Sequence, residues 1–108
     1  MRFLMAVIDS LSNPGGPEEP GANDRFNEKI ESAGQRILAA GICDPTQAVV
    51  FDNRQGRGLI SPGPLTNADD YMAGFWVIEV NDEESAHALA IEASKACNRR
   101  IELRSFLR

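Results

Sequence analysis

The sequence predicts a single α+β domain, a split βαβ sandwich in which two helices lie on one face of an antiparallel sheet. Three observations lead there. An apolar run opens the chain, two stretches of helical periodicity follow around 24–40 and from Asn81 onward, and the segments between and after them are rich in β-branched and aromatic residues. The resulting order of strand, helix, hairpin, strand, helix, strand matches that layered architecture. A chain of 108 residues forms one domain, 1–108, able to bury about two thirds of its unfolded surface in one core.

The first strand is residues 2–8. Phe3, Met5 and Val7 alternate with Leu4, Ala6 and Ile8, and a run that is apolar in both phases reads as a strand covered on both faces. Asp9 to Gly21 holds three prolines and three glycines, which predicts an irregular loop, of a length at which loops are either plain linkers or functional. From Asn23 the period becomes helical: Phe26, Ile30, Ala33, Ile37 and Ala40 form one stripe. Asn23 as N-cap and Gly41 at the C′ position bound a predicted helix over 24–40.

Gln47 to Asp52 predicts a strand, returned by Leu59–Ile60 across the turn-forming loop 53–58 with its two glycines. Pro62, Gly63 and Pro64 make a corner that cannot be helical, and Thr66 to Tyr71 is predicted as one or two helical turns capped by Thr66 or Asn67. Gly74 to Val80 is a strand. Asn81 caps the second helix with Glu84 three residues on. Its buried stripe is Ala86, Leu89, Ala90, Ala93, Ala96 and Cys97. After Asn98 to Arg100 end that helix, Ile101 to Phe106 form the last strand.

Sixteen acidic residues against eleven basic give a net charge of −5, which disfavours direct binding to nucleic acid or to an anionic membrane surface. The opening apolar run is far short of the roughly 20 residues that span a bilayer and lacks the continuation of an export signal, so a cytoplasmic protein is expected. Cys43 and Cys97 have no metal-ligand spacing, and both are expected reduced, with Cys97 in packing. No metal or cofactor is expected. Arg99 and Arg100 suit a helix C-terminus electrostatically or, in a second reading, an anion site. His87, the single histidine, falls off the apolar stripe, as a solvated side chain would.

The hairpin followed by Ile-Ser-Pro-Gly-Pro-Leu, then Met-Ala-Gly-Phe-Trp-Val-Ile-Glu-Val, then Asp-Glu-Glu-Ser-Ala before an Ala-rich helix and Ile-Glu-Leu-Arg, resembles the YCII-related, DGPF-type family of small bacterial proteins. The likeness runs through nearly the whole chain and is strongest over 59–106. It implies a ferredoxin-like subunit and a dimeric α+β barrel. In place of the family's Asp-Gly-Pro-Phe this chain has Pro62-Gly63-Pro64-Leu65, and the histidine proposed to work with an Asp in some relatives has no counterpart. The corner keeps its turn and loses its acid.

Independently of the resemblance, strand Gly74–Val80 is apolar in both phases, so the sheet face away from the helices also needs a cover. A second copy of the chain is the simplest one, making a homodimer. With Trp76, Ile78 and Val80 under the helices, Phe75, Val77 and Glu79 face the cleft between sheets. On the last strand Ile101 and Leu103 take the helix phase, which leaves Glu102 and Arg104 with Glu79. These charges read either as an interface ion pair or as a site in which Arg104 anchors an anion and Glu79 or Glu102 takes a proton. The candidate ligand-binding residues are Phe75, Glu79, Glu102, Arg104, Gly63 and Pro64, with no catalytic residue assigned. Two function classes fit: a non-catalytic dimeric module binding a small anionic or polar metabolite, with a regulatory role, and a cofactor-free lyase- or isomerase-type enzyme using general acid and base.

Overall fold

A computed structural model describes residues 1–11 and 19–108. The fold is α+β, with strands β1 (Arg2–Ser10), β2 (Arg36–Gly41), β3 (Val49–Asp52), β4 (Leu59–Pro62), β5 (Asp70–Glu79) and β6 (Arg100–Ser105), and helices α1 (Glu19–Ser32) and α2 (Glu83–Cys97). Four strands form one antiparallel sheet in the order β2-β5-β1-β6, and β3 and β4 form a separate two-stranded hairpin.

The core lies between this sheet and the helices. Phe3 and Met5 of β1, Trp76 and Ile78 of β5, Phe26 and Ile30 of α1, and Ala86, Leu89, Ala93 and Cys97 of α2 are all buried there. Phe26 meets Trp76 edge to face, with ring centroids 5.2 Å apart, a favoured aromatic geometry. The small residues of α2 let it approach the sheet, and Lys29 of α1 pairs with Glu92 of α2 across the top.

The long first helix is corrected. α1 stops at Ser32, and Arg36–Gly41, predicted as its second half, is strand β2. Gly34 is the cause. It adopts φ +72°, and the N–H groups of Gly34 and Gln35 bond back to the carbonyls of Glu31 and Ile30 at 3.1 and 2.9 Å, the Schellman pattern that closes a helix. Ile37 and Ala40 fall in phase with Phe26 and Ile30 by coincidence, and both are exposed. The predicted element order therefore lacked β2, which completes the main sheet and leaves the hairpin outside it.

At its other end α1 begins at Glu19, so Asn23 is inside the helix rather than capping it. Proline is tolerated in a first helical turn, where its missing N–H has no partner to lose. The loop predicted over 9–21 is shorter on both sides: Asp9 and Ser10 belong to β1, and 19–21 to α1. Its remainder, 12–18, lies outside the described residues.

Helical turns over Thr66–Tyr71 do not form. β1 runs on to Ser10, and its Asp9 and Ser10 pair with Tyr71 and Asp70, so sheet pairing recruits the end of that segment; a turn or two of isolated helix is unstable without packing. The strand predicted from Gln47 starts at Val49, because Pro45–Gln47 forms a 3₁₀ turn capped by Asp44, whose carboxylate accepts from Thr46 N at 2.8 Å. The cap of α2 moves one residue, from Asn81 to Asp82, which accepts from Ser85 N at 2.7 Å. Asn98, at φ 53°, closes the helix.

Two tests follow from this architecture. A Cβ on Gly74 would stand 2.8 Å from the Ala40 carbonyl oxygen of the neighbouring strand. Gly74→Ala is expected to destabilise the protein by about 1–3 kcal/mol, read by urea unfolding. Hydrogen bonds from the Ser85 side chain and backbone N–H hold the Asp82 carboxyl below its ordinary pKa. The charged cap thus contributes stability that is complete above the unfolded carboxyl value near pH 4 and is lost as pH falls through the lowered folded value. Asp82→Asn, which retains an acceptor, is expected to flatten that part of the acid unfolding profile.

Candidate functional site

The sheet face away from the helices carries two cross-strand rows, fixed by register. Leu38, Val77, Leu4 and Arg104 stand side by side across β2, β5, β1 and β6, and Ala40, Phe75, Ala6 and Glu102 form the next row. The phase follows from the core: Trp76 and Ile78 are buried beneath the helices, so Phe75 and Val77, in the alternate phase of the strand, point away. A third row at the end of the sheet pairs Glu79 with Arg2.

The face is apolar in its middle and charged at its border. Leu38 is half exposed, Leu4, Phe75 and Val77 are partly so, and Glu102 and Arg104 on the edge strand are exposed. Among the described residues neither Glu102 nor Arg104 takes part in an ion pair. They lie two residues apart on one strand, about 7 Å. Glu79 is engaged: its carboxylate is 3.4 Å from Arg2 Nε.

At that end the surface dips into a hollow of about 360 Å³ lined by Arg2, Glu79, Ser105, Phe106 and Arg108 together with Met1. Phe106 N–H bonds to Arg2 C=O at 2.9 Å, which holds the segment after β6 beside the start of β1. Two guanidinium groups against one carboxylate give this corner a positive excess in a chain of net charge −5. The meeting of Arg2 with Phe106 and Arg108 escaped the sequence reading, although Phe106 is in phase with Glu102 and Arg104, because only strand pairing brings the start of the chain beside residues 105–108.

Gly63 and Pro64 are elsewhere. They follow β4, where Gly63, at φ +97°, donates its N–H to Ala48 C=O at 2.6 Å. Pro64 lines a separate hollow of about 330 Å³ with Asp44, Thr66, Asp69 and Tyr71, at the Asp70 end of β5. Glu79 is nine residues further along that strand, roughly 30 Å. Within one chain, then, Phe75, Glu79, Glu102 and Arg104 share a face, while Gly63 and Pro64 belong to the far end. Desolvation, and after it the charges of Asp9 and Asp44, raise the pKa of Tyr71, with Arg99 working against them and Asp69 with them.

A third hollow, about 490 Å³, opens on the helix side between α1 and the β2–β5 pair, and Asn23, Asp24, Asn27 and Arg36 supply its polar lining. Asn27 Oδ1 accepts from Trp76 Nε1 at 2.8 Å, which satisfies the indole in the core. This group of residues gave no signal while 24–40 read as one helix.

The remaining candidates are structural. Arg99 lies 2.9 Å from Asp9 and donates to the carbonyls of Asn98 and Cys97 at the end of α2, as a cation at a helix C-terminus does. Arg100 pairs with Asp70. Cys97 is in the core and Cys43 is exposed. Among the described residues no group of His, Cys, Asp and Glu is placed to hold a metal ion, and no helix is long and apolar enough to cross a membrane. Compared with models of known protein families and with curated protein sequences, the chain matches none.

His87 is exposed on α2, with Nε2 3.9 Å from Glu83 Oε1. It is on the helix layer, away from the open face. His87→Gln is expected to leave stability within about 0.5 kcal/mol of the parent and ligand binding unchanged, checked by chemical unfolding and titration.

Proposed function

We propose that the chain works as a homodimer that binds a small anionic or polar metabolite in the cleft between two facing sheets, as a binding module with a regulatory role and no cofactor. The carrying observation is the open face itself. Its two central rows are apolar across three strands, and guanidinium groups border it: Arg104 on β6, Arg2 and Arg108 at the end. Such a surface both loses free energy when covered and offers bidentate donors to a carboxylate or phosphate. The order β2-β5-β1-β6, with a helix after the first strand and another before the last, supports the ferredoxin-like reading of the subunit. The resemblance to YCII-related proteins points the same way.

Binding is favoured over catalysis by the state of the acids. Of the two candidate bases, Glu79 is already ion-paired with Arg2 and Glu102 is exposed on the edge strand, and the histidine that would complete an acid–base pair is on the helix layer.

Light scattering is expected to give twice the chain mass, and a monomer at low micromolar concentration would overturn the proposal. Small carboxylates and phosphate esters are then screened by thermal unfolding. At a ligand concentration a hundredfold above Kd the stabilisation is about 2.7 kcal/mol. Arg104→Gln is expected to weaken an anionic ligand tenfold or more, on the order of the loss of one charge-assisted hydrogen bond, with little change in stability of the free protein. Chemical conversion of a bound compound would instead establish an enzyme.

A further inference from the structure

The hairpin β3–β4 departs from what an isolated chain should tolerate. Residues directly opposite share a face, so Val49, Phe51, Ile60 and Pro62 lie on one side and Val50, Asp52, Leu59 and Ser61 on the other. The second side is mixed. The first is entirely apolar, yet Val49 is 46%, Phe51 70% and Ile60 64% exposed, and Leu65 just beyond is 81% exposed. A strand pair that alternates apolar and polar is built to bury its apolar side. Among the described residues that side is not packed closely on the helices or on the four-stranded sheet. The radius of gyration, 15.9 Å, exceeds the roughly 13 Å of a compact chain of this length, as an arm standing off the body requires.

The arm is nonetheless well made at its tip. Asp52 accepts from Arg54 Nε and Nη2 at 2.9 and 2.8 Å and from Arg57 at 3.4 Å. Asn53 Oδ1 accepts from Gly58 N at 3.1 Å. Gly56 and Gly58 supply two of the positive φ values in the loop, and Gln55 adopts a third, at 55°. A two-stranded hairpin alone in water is marginal, so an ordered tip above an uncovered apolar face fits a segment pre-organised for a partner surface.

We propose that this hairpin is a dimer arm whose apolar face packs on a second copy of the chain. The inference rests on the homodimer proposed above for its occupant, and it adds where the interface extends. Area is the argument. With full side chains of about 150–200 Å² each, the exposed parts of Val49, Phe51, Ile60 and Leu65 offer on the order of 400 Å². That is half of the roughly 800 Å² per partner in a stable interface. The open rows of the main sheet add a smaller apolar area, from Leu38 at 51% exposure and from the less exposed Leu4, Phe75 and Val77. Neither reaches that area alone; together they come near it, and both belong to one chain, so one two-fold interface can cover both with no other protein. At the tip Arg54 and Arg57 share the single carboxylate of Asp52, which leaves one positive charge in excess. Pro62 has no N–H to offer on its strand, which favours packing by the face over addition of a further strand.

The test compares Phe51→Ser/Ile60→Ser with Val77→Asp on the sheet face, by sedimentation equilibrium, with circular dichroism to confirm folding. Phe51 and Ile60 are exposed in the single chain, so their replacement leaves the monomer's core intact. The hairpin variant is expected to raise the dimer dissociation constant about thirtyfold or more, the effect of losing a hot-spot side chain. Amide exchange over 49–62 in the unaltered protein is expected to be about tenfold slower above that constant than below it. A dimer that survives the hairpin variant unchanged, with equal exchange at both concentrations, while Val77→Asp separates it, overturns the arm and leaves the homodimer standing. A dimer separated only by the hairpin variant supports the arm and removes the facing-sheet cleft. A monomeric parent protein overturns both, including the case in which some other protein occupies the arm.

Discussion

The pairing of β1 with β5 is the constraint on which the rest depends. These are the two central strands, and each edge strand of the sheet takes its register from one of them. Both are apolar in both phases, so hydrophobicity alone does not choose which side goes under the helices. A slip by one residue would exchange Phe3, Met5, Trp76 and Ile78 for Leu4, Ala6, Phe75 and Val77 at little cost in apolar burial. What decides is polar and steric detail. Trp76 must bring its indole N–H to Asn27; Gly74 must lie where the Ala40 carbonyl leaves no room for a Cβ. Glu79, Glu102 and Arg104 must stay in water. The irregularity between Val7 and Ile8 then reconciles the two halves of the pair, and β1 continues to Ser10.

That reasoning explains which parts of the fold were legible in the sequence. The phase of β5 and β6 could be read because charges interrupt only one of their two faces. The α2 stripe could be read because its length gives periodicity time to show, with acidic residues at its start. The α1–β2 boundary could not, since Ile37 and Ala40 happen to continue the helical period past Gly34. The one available signal was that glycine, followed by a short run dense in apolar residues, and a stripe extrapolated through it hides a strand. The segment Thr66–Tyr71 misled in the opposite way: good capping residues stand there, but no apolar face follows to make a helix worthwhile.

The candidate site divides along the same line. Residues that share a strand or a paired register, such as Glu102 with Arg104 or Phe75 with Glu79, can be put together from alternation alone. Arg2, Phe106 and Arg108 cannot, because their meeting depends on how β1 closes against β5 and β6. Gly63 and Pro64, joined to the same site through the motif they resemble, are held instead by the hairpin's base and the hollow around Tyr71. Sequence proximity of a corner to a strand says nothing about whether the corner shares a face with the strand's far end.

The border of the open face bears on how a second copy would meet it. Glu102 and Arg104 carry opposite charges on one edge strand, one row apart. A two-fold axis turns such a strand against itself in the reverse direction, so that acid can face guanidinium from either side. A like-signed edge would repel under the same operation. The arrangement is therefore self-complementary, and it also sets up a competition, because a guanidinium that satisfies a carboxylate of the facing copy offers less to a ligand. Arg2 is already committed to Glu79. In such a homodimer an anion would have to displace an interchain partner from Arg104 or take donors left over by Arg2 and Arg108, and its binding would then be coupled to the association of the two chains.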